Sequence, residues 1–141
     1  MQIDKKKTYL AYIVNAVGSK LWRDLYFEDG KNITSSGEYS CAVFVSTVLY
    51  ILGWLDGLHA TVISTEAALQ NSGWQVVEKP KAGDVIVWPE NDQGNKHIGF
   101  VICDSEAVSN SSRLKRIVKH HITYKGKRNW QALYRFPGMN D

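Results

Sequence analysis

In the first half of the chain, apolar residues recur at helical spacing. This spacing is present across Lys7–Val17 and predicts a first helix there. Cys41–Leu55 is apolar almost throughout, and its length favours a buried helix over a strand. Thr65–Asn71 predicts a short third helix with Thr65 as its N-terminal cap. Residues 19–39 have no regular period and predict a long loop, which is a kind of segment that often carries function.

The second half of the chain changes character. Runs rich in β-branched residues alternate with turn residues, and each such run predicts a strand. The predicted strands are Asp84–Trp88, His97–Cys103, Ala107–Ser109, Ile117–Thr123 and Gln131–Phe136. Helices followed by antiparallel strands predict an α+β fold in which the N-terminal helices pack on one face of an antiparallel sheet. The length of 141 residues predicts a single domain over residues 1–141.

Composition and charge exclude several classes of protein. Hydrophobic residues make up 44% and charged residues 22%, as in ordinary globular proteins. The net charge of +3 is mildly basic, but no nucleic-acid-binding motif accompanies it, so nucleic acid is not an expected partner. No apolar run approaches the ~18 residues that a membrane span needs. We expect a monomer.

The basic amino terminus is not followed by an apolar segment typical of a signal peptide. The localisation is therefore unknown from the sequence. A cytoplasmic location and export by a non-classical or lysis-dependent route are both compatible with it.

The chain has two cysteines, and they lie in different contexts. Cys41 is delivered by a loop to the first turn of an apolar helix, where free N–H groups and the helix dipole favour a thiolate. We therefore expect a lowered pKa and a nucleophilic role for Cys41, with its backbone N–H as one oxyanion donor. The alternative is a buried structural cysteine. Cys103 ends an apolar strand and is predicted to belong to the core.

A nucleophilic thiol needs a histidine within hydrogen-bonding reach. His97 opens a predicted strand after a polar loop, which makes it the best candidate for the base. His59 falls in a linker and is expected on the surface. His120 and His121 are adjacent on a strand, so their side chains point to opposite faces and one of them could face the cleft. No metal-ligand spacing is present, and neither a metal site nor a cofactor is expected.

Three segments together resemble one group of enzymes. Ser40–Val45 (Ser-Cys-Ala-Val-Phe-Val) resembles the nucleophile helix of NlpC/P60 domains, which usually reads Asp-Cys-Ser-Gly-Phe-Val. Pro80–Trp88 is similar to the Pro-x-x-Gly-Asp-hydrophobic strand of NlpC/P60 and CHAP domains. His97–Val101 resembles their His-Val-Gly-hydrophobic strand. Ser40 in place of Asp and Val43 in place of Gly mark this chain as divergent.

The resemblance implies a papain-like fold and a cysteine peptidase or amidase. Its usual substrate would be the peptide stems of peptidoglycan. In that mechanism the Cys41 thiolate attacks the carbonyl, and His97 takes the thiol proton and later protonates the leaving amine.

The resemblance also implies a polar residue that orients the imidazole, placed about 12 residues after the base. Asn110 is the first choice and Ser109 the second, and strand alternation allows only one of them to face His97. The family often keeps a tyrosine near the sulfur, for which Tyr26 is the best candidate and Tyr39 the alternative. The possible supporting residues are Ser109, Tyr26, Ser40 and His121.

Two other functions stay open at this point. An enzyme of the same fold could act as a hydrolase or acyltransferase on another amide or ester, such as a protein or lipid. A catalytically inactive binding module would be expected to lack Cys41 or His97, and both are present. Trp22, Trp54 and Trp88 line the cleft or belong to the core.

Overall fold

The computed structural model describes residues 1–37 and 39–139, so Glu38, Asn140 and Asp141, which the predicted domain includes, lie outside the described residues. No helix in the described ranges is long and apolar enough to cross a membrane. The α-helices are α1 (Lys5–Asn15), α2 (Cys41–Ile51) and α3 (Val62–Asn71). The strands are β1 (Gln75–Val77), β2 (Val85–Trp88), β3 (His97–Val101), β4 (Glu106–Ser111), β5 (Arg116–His121) and β6 (Ala132–Arg135). Short 3₁₀ turns occur at Ser35–Gly37 and Pro137–Met139.

The third helix begins earlier than its sequence pattern predicts. Its N-terminal cap is Thr61, whose side chain accepts a hydrogen bond from the backbone nitrogen of Ser64. Thr65, the predicted cap, is instead inside the helix and donates its hydroxyl to the carbonyl of Thr61 at 2.7 Å. The prediction of Thr65 as cap is therefore wrong, because Thr61 satisfies the free N–H group one turn earlier.

The strands form one antiparallel six-stranded sheet within the described part of the chain, in the order β1-β6-β2-β3-β4-β5. The predicted α+β fold is confirmed. β1 was not predicted, because its three residues are too few to show a period and it pairs with β6 at the edge of the sheet.

The two faces of the sheet are covered differently. The helices pack on one face, against inward residues such as Val87, Phe100 and Val108. The other face holds a smaller cluster that includes Trp88 and Ala107, and the segment 122–130 covers it. Successive residues of a strand therefore point either to the helices or to this segment.

Cys103 was predicted to belong to the core, and this prediction is wrong. β3 ends at Val101, and Cys103 lies beyond it, partly exposed. Its sulfur is 3.5 Å from the hydroxyl of Ser105 and 3.8 Å from a carboxylate oxygen of Glu106. The polar turn that joins β3 to β4 thus ends the strand earlier than the apolar run indicates.

A buried ion pair holds the start of β2 to the last strand. The Asp84 carboxylate is 1% exposed and receives two hydrogen bonds of 2.7 Å from the Arg135 guanidinium. It also accepts the backbone N–H of Lys81 at 2.8 Å. The Gly83–Asp84 part of the family motif is thus structural, since it fixes the strand that runs beside β3.

We predict that Arg135→Met destabilises the protein by about 3–5 kcal/mol, because it leaves the Asp84 charge buried without a partner. Arg116→Met, at an exposed position of β5, is the matched control and should change stability by no more than ~0.5 kcal/mol. Urea unfolding of both variants measures the difference. Equal losses of stability in the two variants would contradict this role for the ion pair.

Candidate active site

Cys41 is the first residue of α2, and the loop before it is held in place by the sheet. The amide of Asn110 donates to the carbonyl of Gly37 at 2.8 Å in a buried hydrogen bond. Gly37 has φ 108°, and a Cβ there would lie 2.9 Å from the Cβ of Lys115. Only glycine lets the chain pass this close to the β4–β5 turn in that conformation. The loop therefore delivers Cys41 at a fixed position.

The Cys41 sulfur lies against the start of β3. Backbone N–H groups of Ile98, Ala42 and Cys41 itself hydrogen-bond to the thiol, and Ile98 directly follows His97 in β3. These groups and the nearby charge of Arg128 all lower the pKa of Cys41. Such donors stabilise a thiolate once the proton has left the sulfur.

Burial nevertheless outweighs these groups, and the pKa of the Cys41 thiol is raised. The lowered pKa expected from the helix start is therefore wrong for the resting protein. Desolvation by the surrounding protein favours the neutral thiol, although Cys41 also lines a cavity. Cys41 keeps its proton until a base removes it.

His97 is held from two sides. Its Nε2 atom is 2.9 Å from the Ser109 hydroxyl, and its ring stacks on Trp88 with centroids 5.1 Å apart and planes 29° apart. The indole of Trp88 is fully buried and donates to the carbonyl of Ile122 at 2.9 Å. Nδ1 is then the ring nitrogen that remains for a proton from another group.

Burial also controls the charge of His97. It lowers the pKa of His97 to about 3, with smaller contributions from the charges of Arg128 and His120. The changes at Cys41 and His97 act in the same direction, since each favours the uncharged form. At rest the thiol and the imidazole, which line the same cavity, are both uncharged, and a neutral imidazole can act as a base.

The contact predicted for Asn110 is not formed. Gly99 of β3 pairs with Ser109 of β4, so Ser109 shares the face of His97, while Asn110 points to the helix-covered side. Asn110 donates to Gly37 there and positions the loop before Cys41. Ser109, the second choice, is the residue that contacts the imidazole.

The histidine pair of β5 divides between the two faces, and it is His120 that points to the site. Its Nε2 atom is 2.7 Å from the Ser109 hydroxyl. His121, the predicted supporting residue, is exposed, and its ring accepts hydrogen bonds from Thr123 and Lys125 in the next turn. Its side chain thus stabilises a turn.

The other predicted supporting residues lie further from the sulfur or serve the scaffold. Tyr26 is 66% exposed in a bridge with Asn32, and it is absent from the lining of the cavity that contains Cys41, whereas Tyr39 lines that cavity. Ser40 is fully buried, and its hydroxyl donates to the carbonyl of Arg23 at 3.4 Å. Ser40 therefore secures the helix start.

An open cavity of about 380 Å³ lies in front of Cys41 and His97. Other walls come from residues 60–63, where the α2–α3 linker enters α3, from the β2–β3 loop at residues 90–96, and from Arg128. The Arg128 guanidinium donates through Nη2 to the carbonyls of Pro89 at 2.6 Å and Asn95 at 3.1 Å. It thereby fixes the β2–β3 loop beside the cavity and brings a positive charge to its wall.

The remaining aromatic and histidine side chains belong to the scaffold. Trp22 packs on Phe44 and Trp54 stacks on Phe136, so both are part of the core rather than the cleft. His59, expected on the surface, is partly buried and bonds to Asp56 and Ser64. Among the residues described, no group of three or more histidine, cysteine or acidic side chains could hold a metal ion.

Comparison with known protein families agrees with this geometry. A model of the CHAP domain matches residues 31–118, which is more than half of the chain and includes Cys41, His97 and Ser109. The chain belongs to the CHAP domain family. A search of curated proteins found no match. Membership in this family supports a role like that of a peptidoglycan hydrolase, as an amidase or peptidase.

The structure adds Arg128 to the site of this CHAP domain, which the sequence did not indicate, and it selects His120 from a pair that the sequence left open. Arg128 lies in a turn-rich basic segment and outside the matched range, so no pattern distinguishes it from its neighbours. His120 was one of a pair, and only the β4–β5 pairing decides which of the two faces Ser109.

We predict that the rate of Cys41 alkylation by iodoacetamide rises with pH and has its midpoint above pH 9, the ordinary value for this thiol, because burial raises its pKa. Mass spectrometry of the Cys103→Ser variant between pH 6 and pH 11 isolates the rate at Cys41. A rate that has already levelled off by pH 7 would contradict this expectation and indicate a preformed thiolate.

We predict that His97 makes the CHAP domain lose stability as the pH falls from 6.5 towards 3. The unfolded chain binds a proton at this histidine below pH 6.5, whereas the folded protein binds it only near pH 3. The free energy of unfolding should therefore fall by up to about 1.4 kcal/mol per pH unit from this residue alone.

Urea unfolding at several pH values measures this slope. His97→Gln should reduce it, because the pKa difference is then removed, and His121→Gln at an exposed position should leave it unchanged. An identical slope in the wild type and His97→Gln would show that other groups cause the acid sensitivity.

Proposed function

We propose that this CHAP domain is a cysteine hydrolase that cleaves amide bonds in the peptide stems of peptidoglycan, as an endopeptidase or amidase. Cys41 is the nucleophile and His97 is the base. The observation that carries the proposal is the meeting of the two residues at one open cavity. There the Cys41 thiol accepts the N–H of Ile98, the residue that follows His97.

The reaction begins from the neutral pair. His97 accepts the proton of the Cys41 thiol as the sulfur attacks the carbonyl carbon of the substrate. The backbone N–H of Cys41 donates to the developing oxyanion. His97 then protonates the leaving amine, which departs and leaves a thioester on Cys41. Water, deprotonated by His97, hydrolyses the thioester and restores the thiol.

The cavity supports a peptide substrate in an extended form. Its volume of about 380 Å³ falls in the range of small-molecule sites and would hold a short peptide segment around the scissile bond. Arg128 places a positive charge on the wall, which suits a substrate rich in carboxylates, as stem peptides are. The net charge of +3 also favours approach to an anionic wall polymer.

We predict that the purified protein releases soluble muropeptides from peptidoglycan sacculi, as detected by mass spectrometry. Cys41→Ala should release none, because the nucleophile is lost while a small apolar side chain keeps the packing. Cys103→Ser is the matched control, since it removes the other thiol away from the cavity, and its activity should equal that of the wild type.

The masses of the products identify the bond that is cut. Cleavage between the sugar and the stem indicates an amidase, and cleavage within the stem indicates an endopeptidase. If the wild type releases no more than Cys41→Ala, peptidoglycan is not the substrate. A panel of peptide, isopeptide and ester substrates would then test the same nucleophile on other acyl groups.

A further inference from the structure

A continuous line of hydrogen bonds runs from His97 across the sheet to β5. Nε2 of His97 is 2.9 Å from Oγ of Ser109, and the same Oγ is 2.7 Å from Nε2 of His120. Nδ1 of His120 is 2.8 Å from the backbone carbonyl of His121. Ser109 is only 1% exposed, so water does not compete for its hydroxyl.

The direction of every hydrogen bond in this line follows from its last member. A backbone carbonyl can only accept, so Nδ1 of His120 must carry the proton that it donates to His121. A neutral imidazole has one N–H, and Nε2 of His120 is therefore an acceptor. The hydroxyl of Ser109 has a single proton, which it must donate to His120.

The same reasoning then reaches the base. Because the proton of Ser109 is directed to His120, the Ser109 oxygen can only accept from its other two partners, His97 and the Tyr124 hydroxyl. Nε2 of His97 must therefore carry its proton, and Nδ1 is left unprotonated. This is the tautomer that a base needs when Nε2 is engaged with Ser109 and the thiol proton must go to the other nitrogen.

The surroundings of His120 keep it neutral, as the argument requires. Burial lowers the pKa of His120 more than its hydrogen bond to the His121 carbonyl raises it, and the charge of His121 also lowers it. Its ring stacks on Tyr124 with centroids 4.2 Å apart and lies 5.4 Å from the ring of Trp88. The titratable groups that face it from the covering segment are Tyr124, Lys127 and Arg128, which line a second cavity with it.

We propose that His120 is a positioning residue that acts through Ser109 and holds His97 in the tautomer with a free Nδ1. The catalytic part of this proposal rests on the proposed function, because it assumes that His97 is the base for Cys41. The predicted tautomers of His97 and His120 can be tested without any substrate.

Long-range ¹H–¹⁵N spectra of the full, uniformly labelled chain at pH 7 report the tautomer of each histidine. His→Gln variants at positions 59, 97, 120 and 121 assign the four signals. We expect His97 with its proton on Nε2 and His120 with its proton on Nδ1. The opposite tautomer at either histidine would overturn the proposal.

Two variants of His120 separate hydrogen bonding from packing. In His120→Gln the amide oxygen can replace Nε2 as the acceptor for Ser109, so His97 should keep its proton on Nε2. In His120→Leu the imidazole acceptor is lost, and the proton of Ser109 can go to His97 or to the Tyr124 hydroxyl. A measurable fraction of the His97 proton should therefore move to Nδ1. His121→Gln, whose carbonyl is retained, is the control and should leave the His97 signal unchanged.

An unchanged His97 tautomer in His120→Leu would overturn the proposal, and so would equal shifts in the Gln and Leu variants, which would indicate a packing effect. If the domain releases muropeptides, kcat of His120→Leu should fall roughly tenfold with little change in KM, while His120→Gln stays within about twofold, as for loss and retention of an outer hydrogen-bond partner. If no muropeptides are released, the proposed function fails, but the histidine tautomers still test the role of His120. Failure of the proposed function and failure of this inference are therefore distinguishable.

Discussion

The packing of α2 across the middle of the sheet is the contact on which the site depends. Phe44, one turn into the helix, meets Phe100 of β3 edge to face with ring centroids 5.2 Å apart, and both rings are fully buried. A helix fixed in this way has its first residue at the start of β3, where the Cys41 sulfur reaches the N–H of Ile98. Any shift of α2 along β3 would separate the thiol from the strand that carries His97. The apolar core thus sets the geometry of the polar site.

The same burial decides the charges at the site. Backbone donors and Arg128 favour a thiolate at Cys41, but removal of water favours the neutral thiol more strongly. His97 is subject to the same desolvation, which lowers its pKa to about 3. Two groups that would form an ion pair in a wetter site therefore stay neutral until a substrate carbonyl accepts the sulfur's electrons. In the proposed reaction the charge develops on the substrate oxygen, to which the backbone N–H of Cys41 would donate.

The sequence was a good guide where a local pattern determines the outcome. The apolar run after Cys41, the α+β layout and the strand opened by His97 all follow from periodicity and turn residues. It was a poor guide where a property depends on pairing between distant segments. The choice between Asn110 and Ser109 rests on the Gly99–Ser109 register, and a shift by one residue would exchange their faces. The pKa of Cys41 likewise depends on burial by β3, which a helix-start argument does not include.

Serine at position 109 also explains why the site extends to β5. An acceptor-only group, such as a carboxylate, would fix the tautomer of a histidine without further help, since it can only receive the proton of Nε2. A hydroxyl can donate as well as accept, so Ser109 alone would allow His97 to protonate at either nitrogen. The ambiguity is removed by an acceptor on the far side of the hydroxyl, and His120 supplies it because its own Nδ1 is bound to a carbonyl. A hydroxyl at the orienting position therefore depends on an acceptor one strand further away.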